Sequence, residues 1–137
     1  MKLIYSVLFT FLFFSISFSQ ENYNWKNIRK IELYSFSKYN YCNGIKSSNL
    51  NSKKPIKCNP EHFKKHLNNI EIYHLDTLLE KGCVILRIYF KNKTSDFVVH
   101  LEQGVLMDLK NQTEFFVVKN KTEFKQLVLY YLNANVM

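Results

Sequence analysis

Between Cys83 and Val118 the chain alternates short apolar runs with shorter polar ones, and this rhythm limits the fold more than any other feature. CVILRIYF (83–90), DFVVHL (96–101), VLMDL (105–109) and EFFVV (114–118) are rich in Val, Ile and Phe, and each is too short for a stable helix. The segments between them, Lys91 to Ser95, the turn at Gln103-Gly104, and Lys110 to Thr113, are hairpin-sized. A parallel neighbour would need a crossover of about a dozen residues or more, so these runs must pair antiparallel as a meander.

Upstream, IRKIELYSF (28–36) reads as a first strand after a short lead-in, with Ile31 and Leu33 on one side and Glu32, Tyr34 and Phe36 on the other. Asn59-Pro60-Glu61 has the chemistry of a helix start: a capping Asn, Pro at the first helical position and an acid in the first turn. Phe63, Leu67 and Ile70 then follow at helical spacing. Ile70 to Leu75 fits either an extension of that helix or a short strand, and the strand is favoured. At the end of the chain, Asn120 and Glu123 resemble a capping box ahead of Phe124, Leu127, Val128 and Tyr131, which share one helical face. The expected fold is α+β: an antiparallel sheet of about five strands, one helix inserted after the first strand, and a C-terminal amphipathic helix packed on the sheet.

MKLIYSVLFTFLFFSISFSQ places a lysine before an apolar run from Leu3 to about Phe18 and ends in Ser17-Phe18-Ser19, the pattern of a cleaved secretory signal. The run is shorter than the ~20 apolar residues of a spanning helix and is broken by Ser6, Thr10, Ser15 and Ser17. The organisation expected is a signal peptide over 1–19 and a single domain over 20–137, exported to the periplasm or beyond, with no transmembrane segment after cleavage. The formal net charge of +8 for the full chain, of which cleavage would remove only Lys2, points in that setting to an anionic partner, either an acidic protein or an anionic envelope polymer, with nucleic acid excluded by compartment.

An oxidising compartment makes the three cysteines informative. Residues 38–59 have the composition of a long polar loop, and Cys42 and Cys58 stand at its two mouths. A Cys42 to Cys58 bridge would close the loop and stabilise by ~3 kcal/mol. Cys83 then remains as a small buried hydrophobe; the alternatives are a bridge from Cys83 to one of the other two, or none. Tyr39 and Tyr41 at the loop base, with Lys46, Lys53, Lys54 and Lys57 along it, form the expected contact surface, while Tyr34 and Phe36 read as packing residues.

No pattern in the chain amounts to a catalytic, cofactor or metal signature. His62 and His66 stand at i and i+4, yet HFKKH lacks the glutamate of a zinc protease helix and carries two lysines, so it reads as a solvated helix face. His74 and His100 read as half-buried sheet residues. Asn92, Asn111 and Asn120 begin Asn-x-Thr triplets, all in expected turns. These features favour a small exported, non-enzymatic binding or inhibitor-like protein acting through its basic loop. The rivals are a small envelope hydrolase, which requires a pocket holding a histidine and an acid together, and a structural envelope component.

Overall fold

Seven strands form one fully antiparallel sheet in the order β2-β1-β4-β5-β6-β7-β3 in the computed structural model, which describes residues 23–36, 42, 44–68, 70–72, 83–112 and 114–134. They are β1 (Ile28–Ser35), β2 (Ile56–Cys58), β3 (Glu71–Ile72), β4 (Val84–Phe90), β5 (Thr94–His100), β6 (Val105–Asp108) and β7 (Phe115–Val117). The signal-peptide segment 1–19, Tyr39, Tyr41 and His74 lie outside the described residues. The expected meander is present as β4 to β7, and β1 pairs with β4, with Leu33 opposite Leu86 and Tyr34 opposite Ile85. Seven strands replace the expected five or so because two edge strands are very short. β2 lies inside the stretch read as loop, where three residues are too few to display a period against their Lys- and Asn-rich surroundings. β3 keeps only two residues of the strand favoured at Ile70 to Leu75 within the described part.

Strand alternation divides the core in two. One face carries Ile31, Leu33, Leu86, Ile88, Phe97, Val99, Leu106 and Phe116 and is covered by two helices, α1 (Pro60–Leu67) and α2 (Lys121–Ala134). Asn59 caps α1, its Oδ1 accepting the Glu61 N–H at 3.0 Å, and Pro60 occupies the first turn. Phe63 and Leu67 of α1 are fully buried, as are Phe124 and Val128 of α2, and Phe63 stacks on Tyr131 at 5.8 Å between ring centres. Beyond the helices, the rings of Tyr23 and Trp25 complete the cover against Phe90, Phe97 and Phe116, at 5.3 to 5.5 Å. The Tyr23 hydroxyl donates to the Asp108 carboxylate.

Gly104 lets α2 join this layer. It turns the chain between β5 and β6 at φ +65°, and a Cβ there would stand 2.5 Å from Cβ of Lys121, the first residue of α2.

Candidate functional site

The opposite face of the sheet has a different cover. Tyr34, Ile85, Val98 and Met107 run across it in register, and Cys42 and the segment 44–53 lie over them, with Ile45 and Leu50 buried and a six-residue 3-10 helix at Ser47–Ser52. The polar stretch is therefore a thin third layer on the sheet. Eight of the ten residues from Gly44 to Lys53 are exposed, so the layer is apolar only where it touches the strands.

Cys42 is bonded to Cys83, with Cα atoms 4.9 Å apart, and Cys58 is a free, buried thiol. This corrects the expected Cys42 to Cys58 bridge, and strand parity gives the reason. Cys58 pairs with Ile31, so its side chain enters the core beneath the helices. Cys83 precedes Val84, which faces that same core, and alternation turns Cys83 to the other side, where Cys42 arrives with the covering layer. The sheet stands between Cys58 and the other two. Phe36 N–H donates to the Cys83 carbonyl at 2.9 Å, anchoring the bridge at the end of the β1–β4 pairing. Burial pushes the Cys58 thiol up to about 12.

Beside the layer the same face carries a row of alternating charge across four strands: Lys57, Glu32, Arg87 and Asp96 are successive register partners on β2, β1, β4 and β5. Arg87 grips Asp96 through two bonds, Nε to Oδ1 at 2.7 Å and Nη2 to Oδ2 at 3.1 Å, and Nη2 also donates to the Ser47 carbonyl of the layer at 3.3 Å. The Tyr89 hydroxyl donates to Glu32, whose other oxygen lies 3.6 Å from Lys30 Nζ. Burial first and the neighbouring Glu32 second hold the Tyr34 and Tyr89 phenols above their ordinary range, and the Asp96 hydrogen bond holds the Arg87 guanidinium in its charged form. The side chains of Glu32 and Asp96 are only 5% and 6% exposed, so both carboxylates are consumed within the sheet.

Cations dominate what this face turns to solvent. Lys46, Lys53, Lys54 and Lys57 are all exposed, Lys53 Nζ lies 5.2 Å from the Phe36 ring centre, and Lys30 extends over Tyr89 at 5.0 Å. The structure thus puts Lys46 and Lys53 on the layer and Lys30 and Lys57 on the strands beside it. Tyr34 and Phe36 are buried packing residues, as the sequence suggested. Nothing in the sequence alone singles out Lys30 and Arg87 beyond the alternation of IRKIEL and ILRIYF, which sets a charge opposite a charge once the two strands pair.

The helix side contains a groove between α1 and α2, lined by His62, Lys65 and His66 from one and Glu123, Leu127 and Tyr130 from the other. His66 corrects the reading of HFKKH as a solvated face: it is 2% exposed, and its Nδ1 lies 3.0 Å from the Lys119 carbonyl while its own carbonyl accepts the Lys119 N–H. His62 Nδ1 meets the Tyr131 hydroxyl at 2.5 Å. Acid and histidine do share this groove, as a hydrolase would require. Among the described residues, however, the carboxylates lining it bind lysines, Glu61 to Lys64 at 2.6 Å and Glu123 to Lys65 at 3.1 Å, and no serine, threonine or cysteine is among the lining side chains. Among the described residues no three His, Cys, Asp or Glu are placed to hold a metal ion. His100 is buried in β5, more deeply than expected. Of the Asn-x-Thr sites, Asn92 is exposed on the β4–β5 turn, Asn111 is half-buried, and Asn120 accepts the Glu123 N–H at 3.4 Å as the α2 cap.

Together the fold and this face define an α+β protein whose antiparallel sheet is covered by helices on one side and by a disulfide-pinned basic layer on the other. Comparison with protein-family models, curated proteins and solved structures finds no match to the chain. Among the described residues no helix is long and apolar enough to cross a membrane.

Proposed function

We propose that this is a small exported, non-enzymatic binding protein that holds an anionic polymer of the cell envelope on the basic face of its sheet. The observation that carries this reading is the separation of charge by depth: Glu32 and Asp96 are buried and consumed, while Lys30, Lys46, Lys53, Lys54 and Lys57 are exposed above or beside them. Such a surface attracts polyanions at long range. Export is supported by the N-terminal pattern over 1–19 and by a disulfide that persists in oxidising surroundings.

A polymer fits better than an acidic protein. Protein interfaces are anchored by buried aromatic and apolar residues, and the large apolar side chains exposed among the described residues, Ile72 and Tyr130, lie on β3 and on α2, away from the lysines.

The test is retention of the mature chain on immobilised dextran sulfate across a salt gradient. Changing Lys53, Lys54 and Lys57 together to Ser should lower the eluting salt and flatten the salt dependence while leaving Tm nearly unchanged, because exposed charges contribute little to stability. The same three-charge change on the helix side, at Lys64, Lys65 and Lys125, should have a smaller effect on elution. Equal effects would reduce the attraction to net charge and sink the assigned face.

A further inference from the structure

We infer that the Cys42–Cys83 disulfide is a thiol-sensitive latch: its reduction releases the layer 44–53 from the sheet and so withdraws part of the basic face. The inference rests on the binding reading for its consequence, and on packing alone for its mechanism.

Apart from the bridge, the layer of residues 44–53 has few holds among the described residues. Ile45 and Leu50 are its buried side chains, the Arg87 Nη2 to Ser47 carbonyl contact at 3.3 Å is long, and the cation contact of Lys53 with Phe36 is exposed to water. Its tighter bonds are internal: Ile45 N–H to the Cys42 carbonyl at 3.1 Å, Asn49 N–H to the Lys46 carbonyl at 2.9 Å and Lys53 N–H to the Leu50 carbonyl at 3.0 Å. These shape the layer without fastening it to a strand. Segments with few buried contacts open at the low end of a protein's stability range. The bridge is different in kind, joining the layer covalently to the residue just before β4, one of the central strands.

Removing the layer would uncover Tyr34, Ile85, Val98 and Leu109, now a closed apolar cluster, and would detach Lys46 and Lys53 from Lys30 and Lys57, which stay on their strands. The chain cannot carry out this change with its own third cysteine, because Cys58 lies across the sheet. The electrons must come from an external dithiol. Cys42 and Cys83 are both buried, so one of its thiolates attacks a sulfur of the bridge during a transient opening of the layer, a mixed disulfide forms, and its second thiol resolves that intermediate. Two protein thiols and one oxidised dithiol result, with two electrons and two protons transferred.

The experiment treats the mature chain with dithiothreitol, confirms by alkylation and mass that Cys42 and Cys83 are reduced, and follows amide hydrogen exchange by peptide. Exchange across 44–53 should rise ~10-fold or more beyond any change in β4 to β7, whose protection follows the stability of the whole molecule, as expected for local opening. A Cys42→Ser/Cys83→Ser variant, measured without reductant, should reproduce the pattern. Unchanged exchange in a fully reduced chain would overturn the latch, and so would an equal loss of protection in the layer and the strands.

Retention on dextran sulfate separates the two ideas. Weaker retention of the reduced chain supports redox control of the basic face. Equal retention of both forms refutes that control. If neither form is retained, the polymer-binding reading fails, and the exchange result alone decides whether the latch exists.

Discussion

Burial raises three ionisable groups that stay neutral in the fold: Cys58, pushed up to about 12, and the phenols of buried Tyr34 and half-buried Tyr89, raised further by Glu32. In the unfolded chain a thiol loses its proton near pH 9 and a phenol near 10, so above these values the unfolded state is favoured by ionisation that the native state resists. The stability these groups contribute is whole below about pH 9 and is lost as pH rises toward 12. Urea midpoints should therefore fall from pH 9 upward, and Cys58→Ala should delay the onset of that fall. Arg87 presents the reverse case, a charge whose removal strands its partners. Arg87→Met leaves buried Asp96 unpaired and should cost ~3 to 5 kcal/mol by urea unfolding, with the added change Asp96→Asn recovering part of the loss. Neither effect is visible in the sequence alone, since burial and cross-strand partners exist only once β1 and β4 are in register. The same holds for the cysteines: spacing favoured Cys42 and Cys58, whereas the parity of two strands selected Cys83.

At the scale of elements, legibility follows length and chemistry. The runs forming β4 to β7 are strongly apolar, and the Asn59-Pro60 start of α1 is a local chemical signal, so both were readable without the fold. β2 was not, because IKC is short and owes its strand conformation to β1 alongside it. The 44–53 layer is unreadable as a layer for a related reason: its two buried residues, Ile45 and Leu50, form no period and acquire meaning only from the sheet beneath. For α2 the apolar stripe was read correctly, but its members are unequal. Phe124 is fully buried, whereas Leu127 borders the groove and is half-buried. Phe124→Ala should cost ~3 to 5 kcal/mol, the usual range for a buried aromatic, and Leu127→Ala less than ~2 kcal/mol, both by denaturant unfolding.

For the whole molecule the bridge closes a separation of 41 residues, worth about 4 kcal/mol in the chain-entropy model. Peptide mapping without reductant should recover Cys42 linked to Cys83, with Cys58 alkylated only after unfolding. The order of the sheet then bears on how the molecule is made. β4 to β7 pair with their immediate neighbours in sequence, but β1 lies between β2 and β4 and cannot complete its place until β4 exists. Pairing across such a span is slow compared with hairpin closure. A chain emerging N-terminus first into an oxidising space presents Cys42 and Cys58 to each other before Cys83 has arrived, and the nearer partner is the wrong one. Oxidation during early refolding should accordingly accumulate a Cys42–Cys58 species that a disulfide isomerase clears, whereas oxidation after the sheet has formed should give the native bridge directly. On that expectation the Cys42–Cys83 bond would mark completed assembly, sealed only after the first strand has met the fourth.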